Sequence, residues 1–173
     1  MKTFIAGMGI VLVAASSYAQ QANPIAGALA TEAKTNETNM TGAAEAMPAE
    51  KYGYKPTPEQ SSFGQLIFHA ADANFRLCSM MSGDKAPEAT IKAEGAKQAL
   101  IDQMKESFAY CYKAFDKVDV TKLGTQVKFG NRDVPIAWVV LHTALDWGDH
   151  YSQVATMLRL NGITPPSAQR RPR

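Results

Sequence analysis

Apolar residues recur at intervals of three and four over four long stretches of this chain, the period of helices that bury one face. Ile25, Leu29, Ala33, Asn36, Met40, Ala43 and Met47 form a thin, Ala-rich stripe and predict a first helix from about Pro24 to Met47. Lys51–Pro58 ends it, because each proline pushes the residue before it out of helical angles. Ser62-Phe-Gly-Gln65 has the spacing of a capping box, so a second helix is predicted from near Ser62 to about Ser79. Leu66, His69, Ala70, Ala73 and Leu77 share its broad face. A breaker-rich connector follows from Met80 to about Ala93. Ala96, Leu100, Met104, Phe108, Cys111 and Phe115 then set a third helix, from about Glu94 to Lys117. Gln126–Val134, centred on Phe129-Gly-Asn-Arg132, reads as a small hairpin or tight loop. The fourth helix is predicted from about Val134 to Asn161, with Gly162 as its C-cap and Pro165-Pro166 barring continuation. The class is all-α, with very little sheet.

The fourth helix carries the candidate chemistry. His142, Asp146 and His150 fall four residues apart on one stripe, which Val139, Gln153 and Met157 extend. Ile136, Val140, Ala144, Trp147, Tyr151, Val154 and Leu158 form an adjoining apolar band, so the stripe is expected to point inward. Buried imidazoles and carboxylates need partners, and a divalent ion supplies one. Read with the distant His69, the stripe looks like a metal site. Asp72, three residues after His69, is a candidate to orient that ligand or to act as a base, against the ordinary reading of a solvated carboxylate.

The chain begins with Lys2, an apolar run from Phe4 to Ala15, and small residues leading to Ala19, the pattern of a cleaved secretory signal over residues 1–19. The run is shorter than the roughly 20 residues that span a bilayer, so no stable membrane insertion is expected after cleavage. Removing that segment takes away one lysine and leaves 17 basic against 16 acidic groups. One domain, residues 20–167, follows, and a basic tail over 168–173 holds Arg170, Arg171 and Arg173. Three terminal arginines without an aromatic stacking platform do not make a nucleic-acid surface. The expected partner is a small-molecule substrate, the expected location periplasmic or secreted, and a homodimer is the candidate assembly.

Cys78 and Cys111 are the only cysteines, and an exported chain with an even count favours a disulfide over two inert thiols. Cys78 ends the second helix and Cys111 comes late in the third, so a short antiparallel hairpin would hold them about 25 Å apart. A bridge needs Cα atoms within roughly 7 Å. The pairing therefore requires parallel second and third helices, with Met80–Ala93 as a long crossover, and fourteen residues can span up to about 46 Å.

Met47–Pro58, Phe63–Asn74 and His150–Ser167 together resemble the DinB/YfiT-like metalloprotein family, over roughly Pro24 to Ser167. The resemblance implies a four-helix bundle with an up-down-down-up course. It also implies a divalent ion (Zn, Ni, Mn or Fe) held by one histidine of the second helix and a His-x-x-x-His pair in the last. His69 and His150 match two of those positions, but the first member of the pair falls on Asp146, an aspartate in place of a histidine. A carboxylate can ligate such ions, and two imidazoles with one carboxylate leave positions open. His142, one turn earlier, is the competing third ligand or a group behind the ligands. Family activities include thiol-dependent transferases and isomerases and amidohydrolase-like members. Reduced small thiols are cytosolic, so export favours hydrolysis or plain metal binding. The alternative is a non-catalytic bundle for a small ligand or partner, with the metal structural or absent.

Overall fold

The structure, a computed structural model, describes residues 23–88 and 91–169. The expected signal segment and the arginines of the tail lie outside the described residues. Five α-helices, one two-stranded sheet and two single-turn 3-10 helices (Ala49–Lys51 and Val120–Lys122) make up the regular structure of the described residues: α1 (Pro24–Ala46), α2 (Phe63–Ser82), α3 (Lys97–Phe115), β1 (Gln126–Phe129), β2 (Arg132–Pro135), α4 (Ile136–Leu160) and α5 (Pro166–Gln169). No helix among them is long and apolar enough to cross a membrane.

Local chemistry sets most of the boundaries. Asn23 accepts from the backbone N–H groups of Ile25 and Ala26, and Pro24 takes the first helical position, where its missing donor costs nothing. Ser62 and Gln65 form the reciprocal capping box expected for α2. This helix runs three residues past the expected Ser79, because Met81 is still buried and Gly83, at φ 76°, is the first residue free to turn left-handed. Conversely, α3 begins at Lys97 rather than Glu94, since Gly95 closes a turn onto the Lys92 carbonyl. The Phe129-Gly-Asn-Arg132 stretch is a true hairpin: Phe129 pairs with Arg132 and Val127 with Val134, with Gly130 at φ 59°. Beyond α4, Gly162 at φ 76° lets Ile163 N–H return to the Leu158 carbonyl, the Schellman closure. Short α5 went unpredicted, because Pro165-Pro166 reads as a stop; Pro166 instead opens a last turn, and Ser167 N–H donates to the Tyr151 hydroxyl.

Helix α1 packs on α3 and α4, and α2 packs on the same two. Side-chain contacts give the directions. The Lys97 ammonium donates to the carbonyls of Glu45 and Met47 at the C-terminal end of α1, where cations are favoured, while Tyr112 donates to Glu37, so α1 and α3 run antiparallel. Asn74 meets Ser107 and Cys78 is bonded to Cys111; a four-residue step along α2 matches a four-residue step along α3, which makes them parallel. The described parts of the segment between them lie at opposite ends of this helix pair. Asp84 pairs with Lys117 beyond the end of α3, whereas Ala93, Glu94 and Gly95 lie beside Tyr52 and Ser62 near the start of α2. His69 faces His150 and Asn74 faces Trp147, so α2 and α4 are antiparallel. Phe63, Ile67, Leu100, Met104, Phe108, Phe115, Val139 and Leu158 fill the centre.

Candidate metal centre on helices α2 and α4

The fully buried line of α4 runs through Val139, Thr143, Trp147, His150, Val154, Met157 and Leu158. This line is rotated from the stripe expected to point inward. His150 lies on it, Asp146 and His142 are half-buried at its edge, and Gln153 is exposed. The bulky indole of Trp147 claims the interior between α2 and α3, which turns the histidine–aspartate stripe toward the α2 side of the core boundary.

His150 is the hub. Its ring stands 5.0 Å from the ring of His69 at 70°, the latter an exposed side chain on α2, and its Nδ1 lies 3.1 Å from Asp146 Oδ2 one turn earlier. At 3.1 Å the carboxylate is within ion-pair reach of this buried nitrogen. Burial is the strongest influence on the imidazole and opposes its charge. The Asp146 carboxylate, with Asp149 behind it, outweighs burial and raises His150 above the ordinary histidine value. Among the described residues no three His, Cys, Asp or Glu side chains form a ready metal-holding group, and His69 and Asp146 make no ion pair with each other. What the fold assembles is two contacts that share His150.

Two imidazoles and one carboxylate from two helices are donor types that divalent transition ions accept, with the His69 ring and the Asp146 carboxylate each lying against His150. His142 has a different setting. It stacks on Trp138 at 4.3 Å and 16°, and Phe129 of the hairpin meets it edge-on at 5.4 Å. Asp72 is half-buried and forms no ion pair among the described residues. The cluster around His142, which includes Phe129, Arg76 and Arg132, was not legible in sequence, because its members come from α2, β1, β2 and α4 with no shared spacing.

Toward the start of α2 and the end of α4 lies a cleft of ≈ 280 Å³ lined by Pro56, Gln60, Ser61, Ser152, Gln153, Thr156 and Met157, whose nearest members follow His150 on α4 by two and three residues. The Cys78–Cys111 disulfide is formed, with Cα atoms 5.2 Å apart, and lies two to three turns along α2 from His69.

Known structures share the fold. A DinB-like protein from Bacillus cereus superposes with a TM-score of 0.64 at 17% identity, covering 79% of this chain and 93% of that one. A conserved protein from Enterococcus faecalis gives 0.65 at 16%, covering 78% and 95%. A mycothiol-dependent maleylpyruvate isomerase gives 0.60 at 16%, covering 75% of this chain but only 60% of its own length. No curated protein sequence matches. The sequence pattern of the DinB superfamily matches residues 32–154, most of the chain and every residue of the His69, Asp146 and His150 set. The protein belongs to the DinB superfamily.

Proposed function

We propose that this protein is an exported, up-down-down-up four-helix bundle in which His69, Asp146 and His150 hold one divalent transition ion beside a small-molecule cleft. The observation that carries the reading is buried His150, with the His69 ring 5.0 Å from its own and the Asp146 carboxylate 3.1 Å from its Nδ1. The three pairwise helix directions support the course, and the disulfide supports an oxidising compartment. Bound there, the ion would supply a nucleophile at neutral pH by lowering the pKa of a coordinated water or thiol.

The chain's own residues define what else the site can do. His69 gives the centre its open side and His150 its closed one, so a ligand approaches from the α2 surface. Gln60, Ser61, Ser152, Gln153 and Thr156 offer neutral hydrogen-bonding groups along the adjoining cleft, suited to orienting a polar small molecule. Similarity to an isomerase that depends on mycothiol supports thiol-dependent transfer, and export supports hydrolysis.

A second reading, a non-catalytic bundle that binds a small ligand, is favoured by Asp146 standing where the family resemblance places a histidine, and by a cleft lined without any titratable side chain. Elemental analysis of the purified protein separates the two. The metal reading expects about one equivalent of transition metal, lost in both His69→Ala and His150→Ala. A folded wild-type protein that stays metal-free after aerobic loading overturns it.

A further inference from the structure

The α4 stripe does not end at the proposed ligands. Trp138 and His142 continue it at the same four-residue spacing toward the start of the helix, and their rings stack at 4.3 Å. Phe129 of β1 meets both edge-on, at 4.9 and 5.4 Å. Two guanidinium groups lie over this aromatic shelf. Arg76 is 5.0 Å from the Phe129 centroid, and Arg132 is 5.5 Å from Phe129 and 5.3 Å from Trp138. Arg76 follows His69 by two helical turns, about 10 Å along α2, and His142 precedes Asp146 by one. The cluster therefore borders the proposed metal centre on the side away from the cleft.

Its positive charge is uncompensated. Among the described residues neither arginine forms an ion pair or a side-chain hydrogen bond. The acids nearest in sequence do not serve: Asp133 is held by Lys128 at 2.9 Å, and Asp72, one turn before Arg76, makes no ion pair with it. A guanidinium carries five N–H donors, more than a ring contact can occupy, so donors remain for a ligand. Each guanidinium thus holds N–H donors without a protein side-chain partner beside the same ring, and such a fork matches the planar, bidentate geometry of a carboxylate. Both arginines are exposed and Phe129, Trp138 and His142 are half-buried, so a ligand reaches the donors from solvent and meets the ring edges beside them.

We propose that Arg76 and Arg132 form a carboxylate-binding subsite, with Phe129, Trp138 and His142 supporting the carbon skeleton of a small organic acid. Joined to the metal-centre reading, on which this extension rests, the subsite defines the substrate class: an organic acid whose carboxylate is anchored one to two helical turns from the group that reacts. Interactions with such a remote group hold the reacting end in place.

Benzoate is a suitable probe, titrated by calorimetry into chelator-treated protein and, separately, into zinc-loaded protein, with neutral benzamide as control. The subsite predicts that benzoate binds with or without zinc, that added salt weakens it, and that benzamide binds far more weakly. It further predicts that Arg76→Gln and Arg132→Gln each raise the Kd about tenfold or more. Benzoate that fails to bind, or binds equally well to both variants, overturns the proposal. Binding that requires zinc and disappears in His69→Ala also overturns it, because the carboxylate then sits on the metal. Zinc that fails to bind while benzoate still responds to the arginine substitutions overturns the metal centre alone and leaves the subsite standing.

Discussion

Asn74, five residues after His69 on α2, accepts a hydrogen bond at 2.6 Å from Nε1 of Trp147, three residues before His150 on α4. The same amide donates to Ser107 Oγ at 2.9 Å, so one buried side chain ties three helices together and holds α2 and α4 beside the His69–His150 pair. Asn74→Leu removes both bonds and leaves the Trp147 N–H buried without an acceptor. The expected loss is about 2 to 4 kcal/mol in urea unfolding, because an unsatisfied buried donor bears its desolvation penalty in full. A loss under about 0.5 kcal/mol would show that the amide is not structural.

Zinc should stabilise the wild-type protein by mass action, about 2.7 kcal/mol at a hundredfold excess over Kd, read as a rise of several degrees in Tm that a chelator reverses. His150→Ala and Asp146→Ala are expected to abolish the rise. His142→Ala is expected to keep it while lowering the metal-free Tm, since the Trp138 stack contributes about 0.5 to 1.5 kcal/mol. A zinc response that vanishes only in His142→Ala would move the third ligand one turn back along α4.

Reduction of Cys78–Cys111 reopens a loop with a sequence separation of 33 residues. Under the chain-entropy account this lowers stability by about 3 to 4 kcal/mol. Because the pair is buried between α2 and α3, the Cys78→Ala/Cys111→Ala protein should show a similar fall, plus a small packing loss. Intact mass without reductant checks the bond directly: a bridged wild-type chain is lighter by two hydrogens than the reduced one.

Two tyrosines make the fold sensitive to alkali. Burial, then the Glu37 carboxylate that accepts its hydroxyl, pushes Tyr112 up to about 12, and burial with Glu45 nearby drives Tyr52 higher still. A group whose folded value exceeds its unfolded one stabilises the native state below the unfolded value, near 10, and loses that contribution as pH rises through the folded value. Stability is therefore expected to fall between about pH 10 and 12 as Tyr112 ionises, and to continue falling beyond that for Tyr52. Tyr112→Phe and Tyr52→Phe should each flatten the decline in urea midpoint. Equal slopes in wild type and double variant would assign the effect to other groups.

Helix positions, the capping box at Ser62 and Gln65, the glycine closure at Gly162 and the hairpin around Gly130 were all legible in the sequence, because each depends on residues within a few positions of one another. Pairing of Cys78 with Cys111 was legible as well, since two cysteines leave only one intramolecular bond and its reach constrains the helices. Other features depended on long-range packing. Trp147 reaches across to Asn74, and this turns α4 so that His150 is buried while Asp146 and His142 stay at the edge, a rotation no periodicity on α4 alone could reveal. His142 and Asp146 occupy equivalent steps of one stripe, yet only tertiary structure sends the first into an aromatic stack and the second against His150. Short-range patterning decides which residues are helical; the fit of large side chains between helices decides how each helix is rotated, and that rotation selects the neighbours of every titratable group.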